Sequence, residues 1–157
     1  MKLIAHRGLI NGPDSSQENS PQRIVASLNQ CYDCEVDLRV IDNQPYLGHD
    51  RPDYKVDKNF LYNKGLWIHC KNFEALAWCQ DQNCNLHYFW HDTDHYTLTS
   101  RSWIWSYPGM PASAYTVVVL PEWNDPELKN LNLNCYGICS DYVEKIKGML
   151  NPLCLIS

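Results

Sequence analysis

Leu3-Ile4-Ala5-His6-Arg7-Gly8 is a short apolar run that ends abruptly in a histidine, an arginine and a glycine. It reads as a buried strand over residues 3–7 with His6 and Arg7 delivered at its tip. Three polar blocks follow: Glu18-Asn19, Glu35-Val36-Asp37 and Gly48-His49-Asp50. The Gly-, Asn-, Pro- and Ser-rich segment 9–20 reads as a loop. Pro21 to Gln30 reads as a helix, with Ser20 as N-cap, Pro21 in the first turn and Ile24, Val25 and Leu28 as its apolar stripe. Cys34 to Val40 alternates with period two, so Glu35, Asp37 and Arg39 share one face and Val36, Leu38 and Val40 the other.

The same grammar continues along the chain. Asp42-Asn43-Gln44 is a turn, and Pro45 to Gly48 a short strand that presents His49-Asp50. Residues 51–64 read as polar and irregular. Further strands are expected over 66–71, 86–90, 102–106, 116–120 and 136–139, each apolar and nearly free of internal charge, as strands covered on both faces are. Helices are expected over 73–80, capped by Asn72, over 125 to about 130, and over 143–150. Nearly every strand closes on polar groups: His6-Arg7, His69/Lys71, His91-Asp92, Ser106-Tyr107, Glu122 and Ser140-Asp141. A parallel α/β barrel builds its site at the C-terminal ends of its strands. The expected fold is therefore α/β, a reduced or incomplete TIM-like (βα) barrel, because 157 residues fall well short of the roughly 250 of a full one. The Thr/Ser-rich stretch 92–101 is too short for a crossover helix, which makes that unit antiparallel or leaves the barrel open there.

Composition narrows the function. Apolar residues at 45% and charged residues at 20% describe a folded chain, read as a single domain over 1–157. A net charge of −5, from 13 basic and 18 acidic residues, argues against non-specific nucleic-acid binding, which depends on Lys/Arg contacts to phosphate. No run approaches the roughly 20 apolar residues of a membrane span, and Met1-Lys2 leads at once into a strand without a signal-peptide core. A cytoplasmic location with reduced thiols is expected; the oligomeric state is left open. Cys31-x2-Cys34 has the spacing of half a zinc site but lacks a matching second pair, so the eight cysteines read as small buried hydrophobes. Cys154-Leu155-Ile156-Ser157 fits a C-a-a-X lipidation pattern without a strong polybasic partner, and reads as a packed tail.

Two carboxylates on one strand face repel unless a cation stands between them. For Glu35 and Asp37 that is a divalent ion held by oxygen ligands or a salt-bridged cluster with Arg39. Two histidines at element ends, His6 and His49, add a proton donor and a proton acceptor. Of His87, His91 and His95, only His91 reads as a rim residue. Trp103, Trp105 and Tyr107 share a strand face and read as core, with stacking on a sugar or base as the alternative.

Taken together, Ile4-Ala5-His6-Arg7-Gly8, Glu18-Asn19, Glu35-Val36-Asp37 and Gly48-His49-Asp50 resemble, in order and spacing, the signature blocks of the glycerophosphodiester phosphodiesterase family, one of the phosphatidylinositol-phospholipase-C-like barrels. Ile68-His69-Cys70-Lys71 and the segment from Gly137 to Tyr142 are similar to its third-strand and last-strand blocks; residues 75–130 have no counterpart. The resemblance implies His6 and His49 as the acid/base pair and Arg7 and Lys71 as phosphate contacts. It implies Glu18, Asn19 and Asp50 as supporting residues, and Glu35, Asp37 and the His69 position as ligands of a divalent metal, Mg or Ca. His69 stands where the family has a glutamate, and imidazole suits Mn or Zn better. The implied activity is hydrolysis of a small phosphodiester through a cyclic phosphate. The alternatives are a phosphate-binding module without turnover, and a transesterification that stops at the cyclic product.

Overall fold

The computed structural model describes residues 1–82 and 86–150; the Cys154-Leu155-Ile156-Ser157 tail and Cys84 lie outside them. The strands are β1 (Lys2–Ala5), β2 (Asp33–Ile41), β3 (Gln44–Leu47), β4 (Tyr54–Lys55), β5 (Leu66–Cys70), β6 (Tyr88–Phe89), β7 (Tyr96–Leu98), β8 (Ile104–Ser106), β9 (Thr116–Val119) and β10 (Gly137–Ser140). The helices are α1 (Pro21–Asn29), α2 (Phe73–Asp81) and α3 (Val143–Leu150). All ten strands belong to one mixed sheet. Its parallel part runs β6-β5-β2-β1-β10-β9-β8. The antiparallel strand β7 ends it beside β8, and the β3-β4 hairpin extends β2.

The expected TIM-like (βα) barrel is not what forms. The sheet curls into a half-barrel and, among the described residues, carries only three short helices. The reason is in the connections. Apolar residues at helical spacing occur only after β1, β5 and β10, and those three segments become α1, α2 and α3. The connections from β6 to β9 lack that stripe and stay as turns and coil, so no outer helical layer covers that side.

Other local readings shift. The helix expected at 125–130 does not form. A 3-10 turn over Pro121–Trp123 precedes it, and the Asp125 carboxylate accepts the backbone N–H of Asn130 at 2.7 Å instead. Strand β1 stops at Ala5, because Arg7 takes a left-handed conformation (φ 50°, ψ 27°) that breaks extended pairing. Ser20 occupies the N-cap of α1 but its side chain caps nothing; it donates to Gln22 instead. Asn72 does cap α2, accepting from the N–H of Ala75 at 3.1 Å. Segment 51–64 is less irregular than expected: it holds β4 and a 3-10 turn capped by Asp57. Strand β7, unread in the sequence, is an edge strand whose Tyr96 and Leu98 remain exposed.

The period of β2 sets the two sides of the sheet. Val36, Leu38 and Val40 pack outward with Ile68 of β5 and with Ile24, Ala75 and Trp78 of α1 and α2. The concave side is filled by Ile4, Trp67, Phe89, Trp105, Val117, Val119 and Cys139. A third cluster joins α3 to β10 through Ile138, Ile146 and Leu128. Among the described residues, no helix is long and apolar enough to cross a membrane. The described cysteines are free thiols; Cys31 is exposed while Cys34 is buried.

Candidate active site at the strand ends

Because β1, β2, β5, β6, β8, β9 and β10 are parallel, their C-terminal ends meet on one rim, where open α/β sheets bind ligands. Glu35 and Asp37 stand just below it, each 1% exposed. The sequence-based alternative of an Arg39 salt bridge is not what they use. The Arg39 guanidinium instead donates to the His49 carbonyl, at 3.1 Å from Nε and 2.5 Å from Nη2. Their cation is Arg7. Its Nε lies 3.0 Å from Asp37 Oδ2, its Nη1 donates to Glu18 at 2.7 Å, and its backbone N–H donates to Glu35 Oε2 at 3.1 Å.

Asn19 clamps the same carboxylate from the first loop. Its Nδ2 donates to Asp37 Oδ2 at 2.9 Å, and its Oδ1 accepts the Asp37 N–H at 2.8 Å. Arg7 and Asn19 both have positive φ, a cost of order 1 kcal/mol or more each that persists where surrounding contacts over-determine it. Here those contacts are the carboxylates and the bond from the Asn19 N–H to the Arg7 carbonyl at 3.0 Å. Behind the turn, Ser27 of α1 donates to the Gly8 carbonyl at 2.7 Å. Gly8 sits at φ 78°, and a Cβ there would stand 3.1 Å from Ile24.

Register brings a third polar side chain to the two carboxylates. Asp37 pairs with His69 across β2 and β5. His69 Nδ1 lies 3.4 Å from Glu35 Oε1 and 3.3 Å from Asp37 Oδ1. Its Nε2 is 2.7 Å from the His91 carbonyl. A carbonyl only accepts, so Nε2 carries the proton and Nδ1 is turned to the two carboxylates. Nδ1 then holds either a proton or a shared cation. Burial alone would lower the His69 pKa, but the two carboxylates overcome it and push it up to about 9. Burial likewise opposes ionisation of Asp37, yet the His69 ring, Arg7 and Asn19 hold its carboxyl well below the usual range.

Two observations fit this trio to a divalent cation. Asp37 Oδ1 is buried and receives no hydrogen bond, although buried carboxylate oxygens rarely stay bare. The imidazole is oriented through its far nitrogen by a backbone carbonyl, as metal-bound histidines usually are. Ligand atoms of Glu35, Asp37 and His69 all lie within 4.8 Å of one another, the sole such group among the described residues.

His6 is held by Asp141, a strand-end residue that had no assigned role. Its Nδ1 lies 2.8 Å from Asp141 Oδ1, leaving Nε2 for proton transfer. Burial would lower its pKa, but Asp141 and Glu35 raise it. Asp141 is fixed in turn. Its N–H donates to Glu122 Oε1 at 2.9 Å, and the Ser140 hydroxyl donates to the same carboxylate. Burial pushes the Glu122 carboxyl up. The signal for both was their place at strand ends: Asp141 directly follows β10, which pairs with β1, and Glu122 lies in the turn after β9, which pairs with β10.

The remaining expected residues divide between two cavities. One, of about 140 Å³, is lined by His6, Arg7, Glu35, His69, Lys71 and His91. The other, of about 590 Å³, is lined by Arg7, Glu18, Asn19, His49 and Asp50. Arg7 borders both. His49 therefore joins His6 only across Arg7, and its Nδ1 pairs with Asp50 at 2.7 Å in an exposed position. Gly48 aims it: φ is 147°, and a Cβ would stand 2.0 Å from the Arg51 carbonyl. His91 is a rim residue as read. Trp105 is core and underlies the rim cavity, Trp103 stacks on Tyr136 with ring centroids 3.4 Å apart, and Tyr107 is the exposed member of the trio that lines that cavity.

Comparisons with protein-family models, curated proteins and solved structures return no match, so the chemistry of the rim is read from its own geometry.

Proposed function

We propose that this rim cleaves a small phosphodiester with the help of a divalent cation. The observation that carries the reading is the buried Glu35–Asp37–His69 trio, with its unsatisfied oxygen, beside a histidine held by a carboxylate. Arg7 and Lys71 contact the phosphate. His6, oriented through Nδ1 by Asp141, and His49, oriented by Asp50, share the two proton transfers: one takes the proton of a substrate hydroxyl next to phosphorus, the other protonates the leaving oxygen. Water then opens the cyclic phosphate with the two roles exchanged. A cation on the trio supplies charge neutralisation at the phosphoryl oxygens. The four signature blocks support kinship with glycerophosphodiester phosphodiesterases in chemistry, while the half-barrel departs from their architecture.

The test is p-nitrophenolate release from 2-hydroxypropyl p-nitrophenyl phosphate, whose hydroxyl stands next to the phosphate, with Mn²⁺. His6→Ala and His49→Ala should each lower the rate about a hundredfold or more without loss of the folded state. Wild-type rates in both variants would sink the proposal. One observation favours a second reading, a phosphate-binding module without turnover. His49 and His6 line different cavities, and the Arg7 between them is paired with Glu18 and Asp37. Metal-dependent stabilisation with no turnover of any phosphodiester would select it.

A further inference from the structure

The rim cavity is lined by two unlike sets of residues. Arg7, Glu35 and His69 form the charged set, which makes the charged end; Tyr107, Pro108, Leu120 and Trp123 form the apolar and aromatic set, reached from His69 through His91. Trp105 also lines the cavity; it is 3% exposed and belongs to the core, but Tyr107 is 41% and Trp123 64% exposed. Scattered exposed aromatics need no explanation; two at one cavity mouth mark a contact surface. Both are held there. Trp123 closes the Pro121–Trp123 turn, its N–H bonded to the Leu120 carbonyl at 3.0 Å. Glu122 within that turn is anchored by Ser140 and Asp141. The Tyr107 N–H donates to the His95 carbonyl at 2.8 Å. A Cβ on Gly109 would stand 3.0 Å from Asn124, so the turn after Tyr107 packs on the turn after Trp123. From the ion cluster outward the rings follow one another, His69 to His91 at 6.4 Å and His91 to Tyr107 at 6.2 Å.

We propose that this aromatic end is a nucleobase subsite, so that the ligand of the rim is a base-bearing phosphate ester with its phosphorus at Arg7 and Lys71. The inference rests on the reading of the rim as a phosphate site and adds what the rest of the substrate is. Stacking on an exposed ring face is the usual way a protein holds a base. The other common occupant of an aromatic wall is a quaternary ammonium, which is bound by enclosing ring faces. Here Trp105 is buried, so the exposed Tyr107 and Trp123 alone are too few ring faces for a cage, while one exposed face is enough to stack a base. Asp92 lines the same mouth and supplies a hydrogen-bond acceptor for a base edge. The net charge of −5 disfavours a polyanion, which limits the ligand to a mononucleotide-sized ester.

Isothermal titration calorimetry of the full chain in Mn²⁺, with AMP, ribose 5-phosphate and phosphocholine as probes, tests this. AMP should bind about tenfold or more tighter than ribose 5-phosphate, the scale of one base stacked on one ring. Trp123→Ala should collapse that ratio to about one, and Trp123→Phe should keep most of it, as expected when the ring face does the holding. Equal affinities, tighter phosphocholine, a preference that survives Trp123→Ala, or no AMP binding would each overturn the subsite. Base preference without turnover of any diester would retire the hydrolytic reading and leave the subsite standing. Turnover of 2-hydroxypropyl p-nitrophenyl phosphate without base preference would do the reverse.

Discussion

Replacing Asp37 by Asn separates a metal centre from a salt-bridge cluster. Asp37 Oδ2 takes the Asn19 and Arg7 contacts, while Oδ1 takes no hydrogen bond and faces His69 Nδ1 at 3.3 Å. An asparagine can keep its carbonyl oxygen toward Asn19 and Arg7 and turn its NH₂ toward His69. The side-chain volume is kept, and the oxygen available to a cation is lost. Removing one partner of a buried ion pair costs about 3 kcal/mol, which for a domain of this size lowers the melting temperature by about 6–12 °C. In the wild type, Mn²⁺ at a hundredfold excess over its dissociation constant should stabilise by about 2.7 kcal/mol, or about 5–11 °C. Asp37→Asn should show the first loss and none of the second gain. Differential scanning fluorimetry of both proteins, after chelation and then across a Mn²⁺, Zn²⁺ and Mg²⁺ series, reads the two terms separately. A wild type that no divalent ion stabilises, or an Asp37→Asn protein that keeps the full gain, would refute the metal centre and leave His69 as a protonated partner of the carboxylates.

Asp141→Asn should drop the His6 pKa below its ordinary 6.5, because burial, helped by Arg7, then outweighs Glu35, the one carboxylate left to oppose it; NMR titration of the His6 ring measures it, and an unchanged pKa would remove Asp141 from the site. His87 is buried, shares a 2.8 Å hydrogen bond with Thr99, and has its pKa pushed down to about 3 by burial and then by Arg101. The unfolded chain binds the His87 proton first, so this residue's contribution to stability is lost as pH falls below 6.5, by about 2 kcal/mol between pH 7 and pH 5. Urea denaturation of wild type against His87→Gln at both pH values isolates it, since His6 is shifted upward and acts with the opposite sign. Gly48→Ala meets the Arg51 carbonyl at 2.0 Å and should cost about 2 kcal/mol or more, read as a lower urea midpoint; a neutral effect would mean that the His49 turn is not held as described.

The period-two alternation of β2 was enough to put Glu35 and Asp37 on one face and Val36 and Leu38 on the other, because the pleat of a strand is a local property. For the same reason the tip at His6-Arg7, the strand cores and the Asn72 cap were legible. The barrel was misread because strand-and-turn punctuation between 86 and 120 looks much the same whether or not a helical layer covers it. The Arg39 alternative failed at a similar point: sharing a face with a carboxylate does not decide which way a long side chain turns.

What the sequence determined by itself was the set of chemical groups and the strand ends that carry them. The tertiary structure alone decided their partners. Asp37 meets His69 through the β2–β5 register. His6 meets Asp141, 135 residues away, because the first and last strands are neighbours with Ala5 opposite Ser140. Pairing between strands distant in sequence depends on which edges and faces the whole chain buries, and no local pattern encodes it.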